Sequence, residues 1–154
     1  MILTTPIYDE KLELRTLDDK NITDNYINWL KNPKVNSFLE LRFHKKFKKS
    51  HVQSFIKNSN LSKDILMLGI FLRLDNLHIG NIKLGPIDWN HKVGDIGFLI
   101  GDENHWGKGY ATRSIKLLSN YAFKELKLAK LNAGCYSENI GSKLALKKAK
   151  FKIE

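Results

Sequence analysis

His105-Trp106-Gly107-Lys108-Gly109-Tyr110-Ala111-Thr112 stands between two stretches of different periodicity. Before it, Val93 to Ile100 alternates, with Ile96, Phe98 and Ile100 on one face and Asp95, Gly97 and Leu99 on the other, which reads as a strand. After it, Ile115, Leu118, Ala122 and Leu126 recur at helical spacing, the buried stripe of a helix that runs to about Lys127. A glycine-rich turn that leaves a strand and opens a helix gathers backbone N–H groups, a helix N-terminus and the charge of Lys108 at one place. That combination predicts a pyrophosphate site, although a plain tight turn uses the same glycines. Two familiar phosphate loops are excluded. Five residues separate Gly101 from Gly107 and Gly109 follows Lys108, so the Walker spacing fails. Thr112 stands where the dinucleotide fingerprint needs a third glycine.

Outward from this loop the pattern is a mixture of strands and helices. Leu12, Leu14 and Leu17 alternate with polar residues as a half-buried strand. Thr23 caps a short helix with Ile22, Tyr26 and Leu30 on one side, and Pro33 ends it. Ser50 reads as the cap of a second helix, with Val52, Phe55 and Ile56 as its buried stripe. Ile65 to Leu74 is apolar enough for a buried strand, Asp75-Asn76 turns the chain, and His78 to Leu84 completes a hairpin. Leu131 to Tyr136 predicts a strand, Asn139 to about Lys148 a last helix, and Phe151-Lys152-Ile153 the start of one more strand. The order argues an α/β domain on one sheet.

The chain of 154 residues suits one domain, residues 1–154, able to fold without disulfides or a structural metal. Its 26 basic and 16 acidic residues leave a formal charge of +10, which favours anionic partners. The densest basic runs are Lys45, Lys46, Lys48 and Lys49 around Phe47, and Lys143, Lys147, Lys148, Lys150 and Lys152. Neither run carries Arg, and zinc-finger, helix-turn-helix and RNA-binding signatures are absent, so the sequence argues against nucleic acid and reads the lysines as solvated. The longest apolar run, Ile65 to Leu72, is far short of a membrane span, and the N-terminus lacks a secretion signal. A single cysteine, Cys135, alternates with Leu131 and Ala133 as a core residue and suits a reducing compartment; a cytoplasmic location is expected. Histidines 44, 51, 78, 91 and 105 share no ligand spacing, so no metal is expected.

Trp106-Gly107-Lys108-Gly109-Tyr110-Ala111-Thr112, a helix ending Asn120-Tyr121-Ala122-Phe123, a strand, and then Asn139-x-x-Ser142 together resemble the GNAT superfamily of acetyltransferases. The likeness extends to Leu12-Glu13-Leu14-Arg15, Asn28-Trp29-Leu30-x-Asn32-Pro33 and Asp95-Ile96-Gly97-Phe98, and is most like the branch that acetylates N-terminal alanines of ribosomal proteins. The resemblance implies a single mixed, mostly antiparallel central sheet flanked by helices, with a shortened C-terminus. It implies acetyl-CoA, with CoA as product. The pantetheine would lie between splayed strands on Phe98, Leu99 and Ile100. The pyrophosphate would lie on the amides of Gly107, Lys108, Gly109, Tyr110, Ala111 and Thr112 beside Trp106, and Asn139 and Ser142 would touch the cofactor's arm. This chain departs from the family pattern at Arg113, where a glutamate is common, at Leu146, where a tyrosine acid often stands, and at Lys150, where glycine usually precedes the phenylalanine.

Acetyl transfer needs a neutral amine and donors for developing negative charge. By the resemblance Asp95 is the first candidate for the base, acting directly or through a water, and Ser142 a weaker candidate for reprotonating the thiolate. Trp29, Arg42, Phe43 and Phe38 fall where related folds wall the acceptor site, and Arg42 would meet an acidic acceptor. The acceptor class stays open between a protein N-terminus and a small amine such as an amino sugar. The rival reading is a catalytically idle basic module on the same fold, binding CoA or nucleic acid. The strand begun by Phe151 and Ile153 lacks a partner in this reading, which predicts either self-association into a homodimer through that edge or a loose C-terminus.

Overall fold

The computed structural model describes residues 1–37, 39 and 47–154. Six strands form one sheet in the order of the chain: β1 (Ile7–Tyr8), β2 (Leu12–Thr16), β3 (Leu66–Leu72), β4 (His78–Leu84), β5 (Val93–Ile100) and β6 (Lys130–Ala133). All neighbours are antiparallel except β5 and β6, which are parallel and joined by the helix α4 (Tyr110–Lys124). The mixed, mostly antiparallel sheet is as expected. Among the described residues the helices α1 (Asp24–Lys31), α2 (Pro33–Asn36) and α3 (Lys49–Leu61) come between β2 and β3, and α5 (Ile140–Lys148) follows β6.

Alternation along the strands sends apolar side chains to both faces. Leu14, Leu68, Ile70, Ile82, Leu84 and Ile96 join one core cluster with Ile115, Leu118 and Ala122 of α4 and Ala145 and Leu146 of α5. A second cluster joins Met67 and Phe71 to Tyr26, Ile27, Trp29 and Leu30 of α1, Val35 of α2, and Val52 and Ile56 of α3. Trp29 is pressed on Gly101, where an added Cβ would stand 1.8 Å from the indole, so only glycine fits there. Fully burying a large apolar side chain is worth roughly 1.5–3 kcal/mol, so truncating Leu118 or Ile115 would cost more than any surface change.

Several local expectations are corrected. Pro33 does end α1, but as the first residue of α2, capped by Asn32, because proline lacks the N–H that a first turn leaves unpaired anyway. Lys48, not Ser50, is the N-cap of α3; its backbone N–H donates to His51 Nδ1 at 2.8 Å. Phe55 is about half exposed, outside the buried stripe of Val52 and Ile56. Phe151 and Ile153 form no strand: Phe151 packs against the first cluster and Ile153 is exposed. Cys135 is exposed, not core, because β6 ends at Ala133 and the alternation stops with it.

Candidate functional site

β5 pairs with β6 only from Val93 to Ile96, yet with β4 as far as Ile100. Beyond Ile96 the two parallel strands separate, leaving one side of β5 bare. Gly85 N–H donates to Asp95 O and Gly101 N–H to Ile79 O, both across to β4. By strand alternation Leu99 therefore bonds to β4, while Phe98 and Ile100 turn their backbone groups toward the gap. The indole Nε1–H of Trp106 donates to the Ile100 carbonyl at 2.7 Å, tying the following loop to the strand end.

A cavity of about 920 Å³ fills this gap. It is lined by Gly97, Phe98, Leu99 and Ile100 on β5, by His105, Trp106, Gly107 and Gly109 of the loop, and by Tyr110, Ala111 and Thr112 of α4. Gly134, Cys135 and Tyr136 beyond β6, and Asn139, Ser142, Leu144 and Lys148 of the last helical segment, close the other side. Gly107 and Gly109 adopt φ of +71° and +81°, the left-handed region that side chains disfavour, and this turns the loop into α4. A Cβ at Gly97, Gly107, Gly109 or Gly134 would meet nothing within 4 Å, so all four glycines border open space. Gly109 caps α4 without a side chain, and the first intrahelical bond runs from Arg113 N–H to Gly109 O. The N–H groups of Tyr110, Ala111 and Thr112 thus face the cavity end without a helical acceptor. Bare strand backbone, an open glycine cradle and a helix N-terminus along one continuous cavity fit a long ligand with an anionic middle.

Asn139 caps α5, its side-chain oxygen accepting from Ser142 N–H at 3.2 Å, so capping and cavity lining fall to one residue. Lys108 is exposed and its side chain lies outside the lining. Arg113 is bound instead to Asp9 at 2.7 Å and Glu10 at 3.1 Å, pinning α4 to the turn between β1 and β2. Burial opposes ionisation of Asp9, but hydrogen bonds from Leu12 N–H, Lys11 N–H and Arg113 outweigh it and hold its carboxyl below the ordinary value. Leu146 is buried in the first core cluster.

A second cavity of about 520 Å³ lies on the opposite face of β5 and shares Leu39, Gly97, Phe98 and Leu99 with the first. Its walls are Leu30, Phe47, Val52, Phe55, Met67 and Ile82, with polar groups from Tyr26, His51, Asn81 and Lys83. Asn81 and Lys83 stand opposite Leu99 and Gly97 in the β4–β5 register, so all four share a face. Tyr26, Asn81 and Lys83 were not anticipated, because nothing in a lone Tyr, Asn or Lys at helix or strand spacing distinguishes a cavity wall from an ordinary face. Burial raises the Tyr26 hydroxyl to about 12, against the Asn81 hydrogen bond, and lowers His78 to about 4, so both are uncharged at neutral pH.

The expected acceptor and acid–base residues are dispersed. Trp29 lines neither cavity; it is buried in the second core cluster, stacked on Tyr26 with ring centroids 4.8 Å apart. Arg42, Phe43 and Phe38 lie outside the described residues, as do Lys45 and Lys46. Asp95 shares the Gly97–Leu99 face but is exposed and lines neither cavity. Ser142 lines the first cavity only. Among the described residues no three His, Cys, Asp or Glu side chains are grouped to hold a metal ion, and no helix is long and apolar enough to cross a membrane.

The family model for an acetyltransferase (GNAT) domain matches residues 11–152. "Uncharacterized N-acetyltransferase p20" of Bacillus licheniformis is 27% identical over 151 residues, covering 96% of this chain and 83% of that protein. "Probable N-acetyltransferase YjcK" of Bacillus subtilis (strain 168) is 39% identical over 87 residues, or 56% of this chain; that match covers 48% of YjcK, about half its length. Spermidine N-acetyltransferase from Vibrio cholerae, solved with CoA and spermine, superposes with a TM-score of 0.80 at 20% identity, covering 95% of this chain and 83% of that one. At that identity the superposition shows a shared fold.

Proposed function

The chain belongs to the GNAT family of acetyltransferases, and we propose that it transfers an acetyl group from acetyl-CoA to a primary amine by direct attack in a ternary complex. The observation that carries this reading is the bare stretch of β5 between two cavities that meet at Gly97, Phe98 and Leu99. The first cavity suits acetyl-CoA. Phe98 and Ile100 offer backbone groups to the pantetheine amides, and the amides from Gly107 to Thr112 hold the pyrophosphate at the positive end of α4. Lys34 and Lys148 line the same cavity; Lys34 is paired with Glu103 at 3.4 Å, so the positive charge for phosphates comes chiefly from Lys148. Asn139 and Ser142 touch the arm from the other wall. Acetyl-CoA supplies an acyl group already activated as a thioester; the protein holds it, excludes water and presents the amine.

The second cavity suits the acceptor, a protein N-terminus or a small amine. The shared wall from Gly97 to Leu99 brings acyl group and amine together, which converts a bimolecular step into an effectively unimolecular one. Asp95 stands two residues from Gly97 on the acceptor face and is exposed, so we assign it the proton from the amine through an intervening water. To Ser142, which lines the first cavity, we assign the return of a proton to the departing sulfur. His51 is unsuited to the base: its Nδ1 accepts from Lys48 N–H, which leaves the proton on Nε2.

Titration calorimetry with acetyl-CoA and, separately, with a DNA duplex tests the reading. Micromolar acetyl-CoA binding, with DNA binding that is weak and falls steeply with salt, supports the enzyme over the basic module. Acetylation of peptide N-termini, amino sugars or polyamines in a product screen then identifies the acceptor. Tight duplex binding without acetyl-CoA binding overturns it.

A further inference from the structure

Two polar groups of the second cavity, Asn81 and Tyr26, are joined in a chain to His78, which lies outside its lining. His78 Nε2 lies 2.8 Å from Asn81 Oδ1, and Asn81 Nδ2 donates to Tyr26 Oη at 2.7 Å. His78 is uncharged and half-buried, packed between Phe71, at a centroid distance of 4.7 Å, and the edges of Tyr26 and Trp29. With its Nε2–H donating, Asn81 Oδ1 is occupied as acceptor and the amide nitrogen must face Tyr26. The Tyr26 oxygen is then an acceptor, and its own proton has no partner among the described residues. Tyr26 is 2% exposed and lines the cavity, so a ligand seated there is available to accept that proton. Lys83 lines the same wall, and among the described residues no carboxylate pairs with it. Besides His51, the remaining wall is mostly apolar: Leu30, Phe47, Val52, Met67, Ile82 and Leu99.

We infer that Tyr26 sets acceptor specificity by donating a hydrogen bond to an oxygen of the amine substrate, which the cavity takes as an apolar amine bearing a carbonyl or carboxylate. This rests on the second cavity being the amine site. Asn81 and His78 are positioning residues that keep the tyrosine proton pointed at the ligand. Lys83 favours an oxygen-bearing substrate and repels a polycation, and a cation beside the bound amine also favours its neutral, reactive form. An N-terminal residue with an apolar side chain fits: amine, apolar body and first carbonyl lie within two bonds of one carbon.

The test compares leucinamide, 3-methylbutylamine (the same apolar body without the carbonyl) and spermidine as acceptors for the full chain. Wild type, Tyr26→Phe and Asn81→Asp are assayed, with acetyl-CoA affinity measured in parallel. In Asn81→Asp the new carboxylate accepts the tyrosine proton and turns it from the cavity while keeping the hydroxyl. Wild type is expected to use leucinamide best and spermidine least. Both variants should lose kcat/KM for leucinamide by ~10-fold, the size of one lost neutral hydrogen bond, with 3-methylbutylamine and acetyl-CoA binding within about twofold. Because amine basicity is identical for all three proteins, the change in ratio reads the hydrogen bond alone. An unchanged ratio in either folded variant, a wild-type preference for spermidine, or acetyl-CoA binding with no acetylation of any of the three overturns this inference while leaving the cofactor reading intact. Absence of acetyl-CoA binding overturns both.

Discussion

At Gly109 two requirements coincide: φ of +81° and a cradle that must stay open for a ligand. Gly109→Val puts a β-branched side chain where left-handed backbone is strained and fills the space above the helix N-terminus. Acetyl-CoA affinity is expected to fall by at least ~100-fold in calorimetry, with the far-ultraviolet spectrum unchanged; undiminished affinity in the folded variant removes the loop from the cofactor site. Asp95→Asn keeps shape and removes the charge. For a base acting through water the turnover should drop ~10–100-fold at saturating acceptor with acetyl-CoA binding unaltered, and a loss under threefold moves the proton elsewhere. The loop glycines were legible in the sequence because positive φ is a property of one residue. The place of Tyr26 on a cavity wall was not, because its hydrogen-bond partner Asn81 stands 55 positions away.

Elements meet in this fold through a few directed bonds. Trp106 ties the loop to β5 through its indole N–H on Ile100 O, so Trp106→Phe keeps the ring and frees the carbonyl. The loop then loses its anchor, and acetyl-CoA should bind about 5-fold more weakly, the effect of one hydrogen bond of ~1 kcal/mol. Asn139→Ala removes the α5 cap bond to Ser142 N–H and should lower stability by about 1 kcal/mol in urea unfolding. If stability is unchanged, the cap is replaced by solvent. The strand ends Leu84, Val93 and Ile100, and the Thr23 cap, matched the sequence reading because turn and cap chemistry is local. Ser50 did not, since the backbone of Lys48 found His51 instead.

Over the whole molecule, pH acts through groups whose ionisation differs on folding. His78 is held near 4 by burial, below its ordinary value of 6.5, so the folded state favours the neutral ring. Its contribution is complete above pH 6.5 and is lost as pH falls toward 4, at up to about 1.4 kcal/mol per pH unit. Asp9, also held below its ordinary value, adds a further loss at still lower pH as its bonds to Leu12, Lys11 and Arg113 are protonated away. Urea unfolding at intervals from pH 7.5 to 4.5 is expected to show this decline, and His78→Gln to flatten it between 6.5 and 4.5. An equally steep decline in the variant assigns it to other groups.

The sequence by itself determined β2 to β6, α1, α3, α4 and α5 in outline and the glycine loop between β5 and α4, because alternation, helical spacing, caps and positive φ are decided within a few residues. The short β1 and α2 were not legible, and the strand expected at Phe151 does not form. It also determined the family, through motifs whose order runs along the chain. Tertiary structure alone decided where β5 and β6 part after Ile96 and Ala133, since a pairing register depends on both strands and on what packs over them. That parting exposed Cys135, against its alternating pattern, and opened the first cavity. It also took packing to send Trp29 into the core against Gly101 and to set Tyr26, Asn81 and Lys83 around a shared space, because those residues come from α1 and β4 and meet only after the sheet has formed.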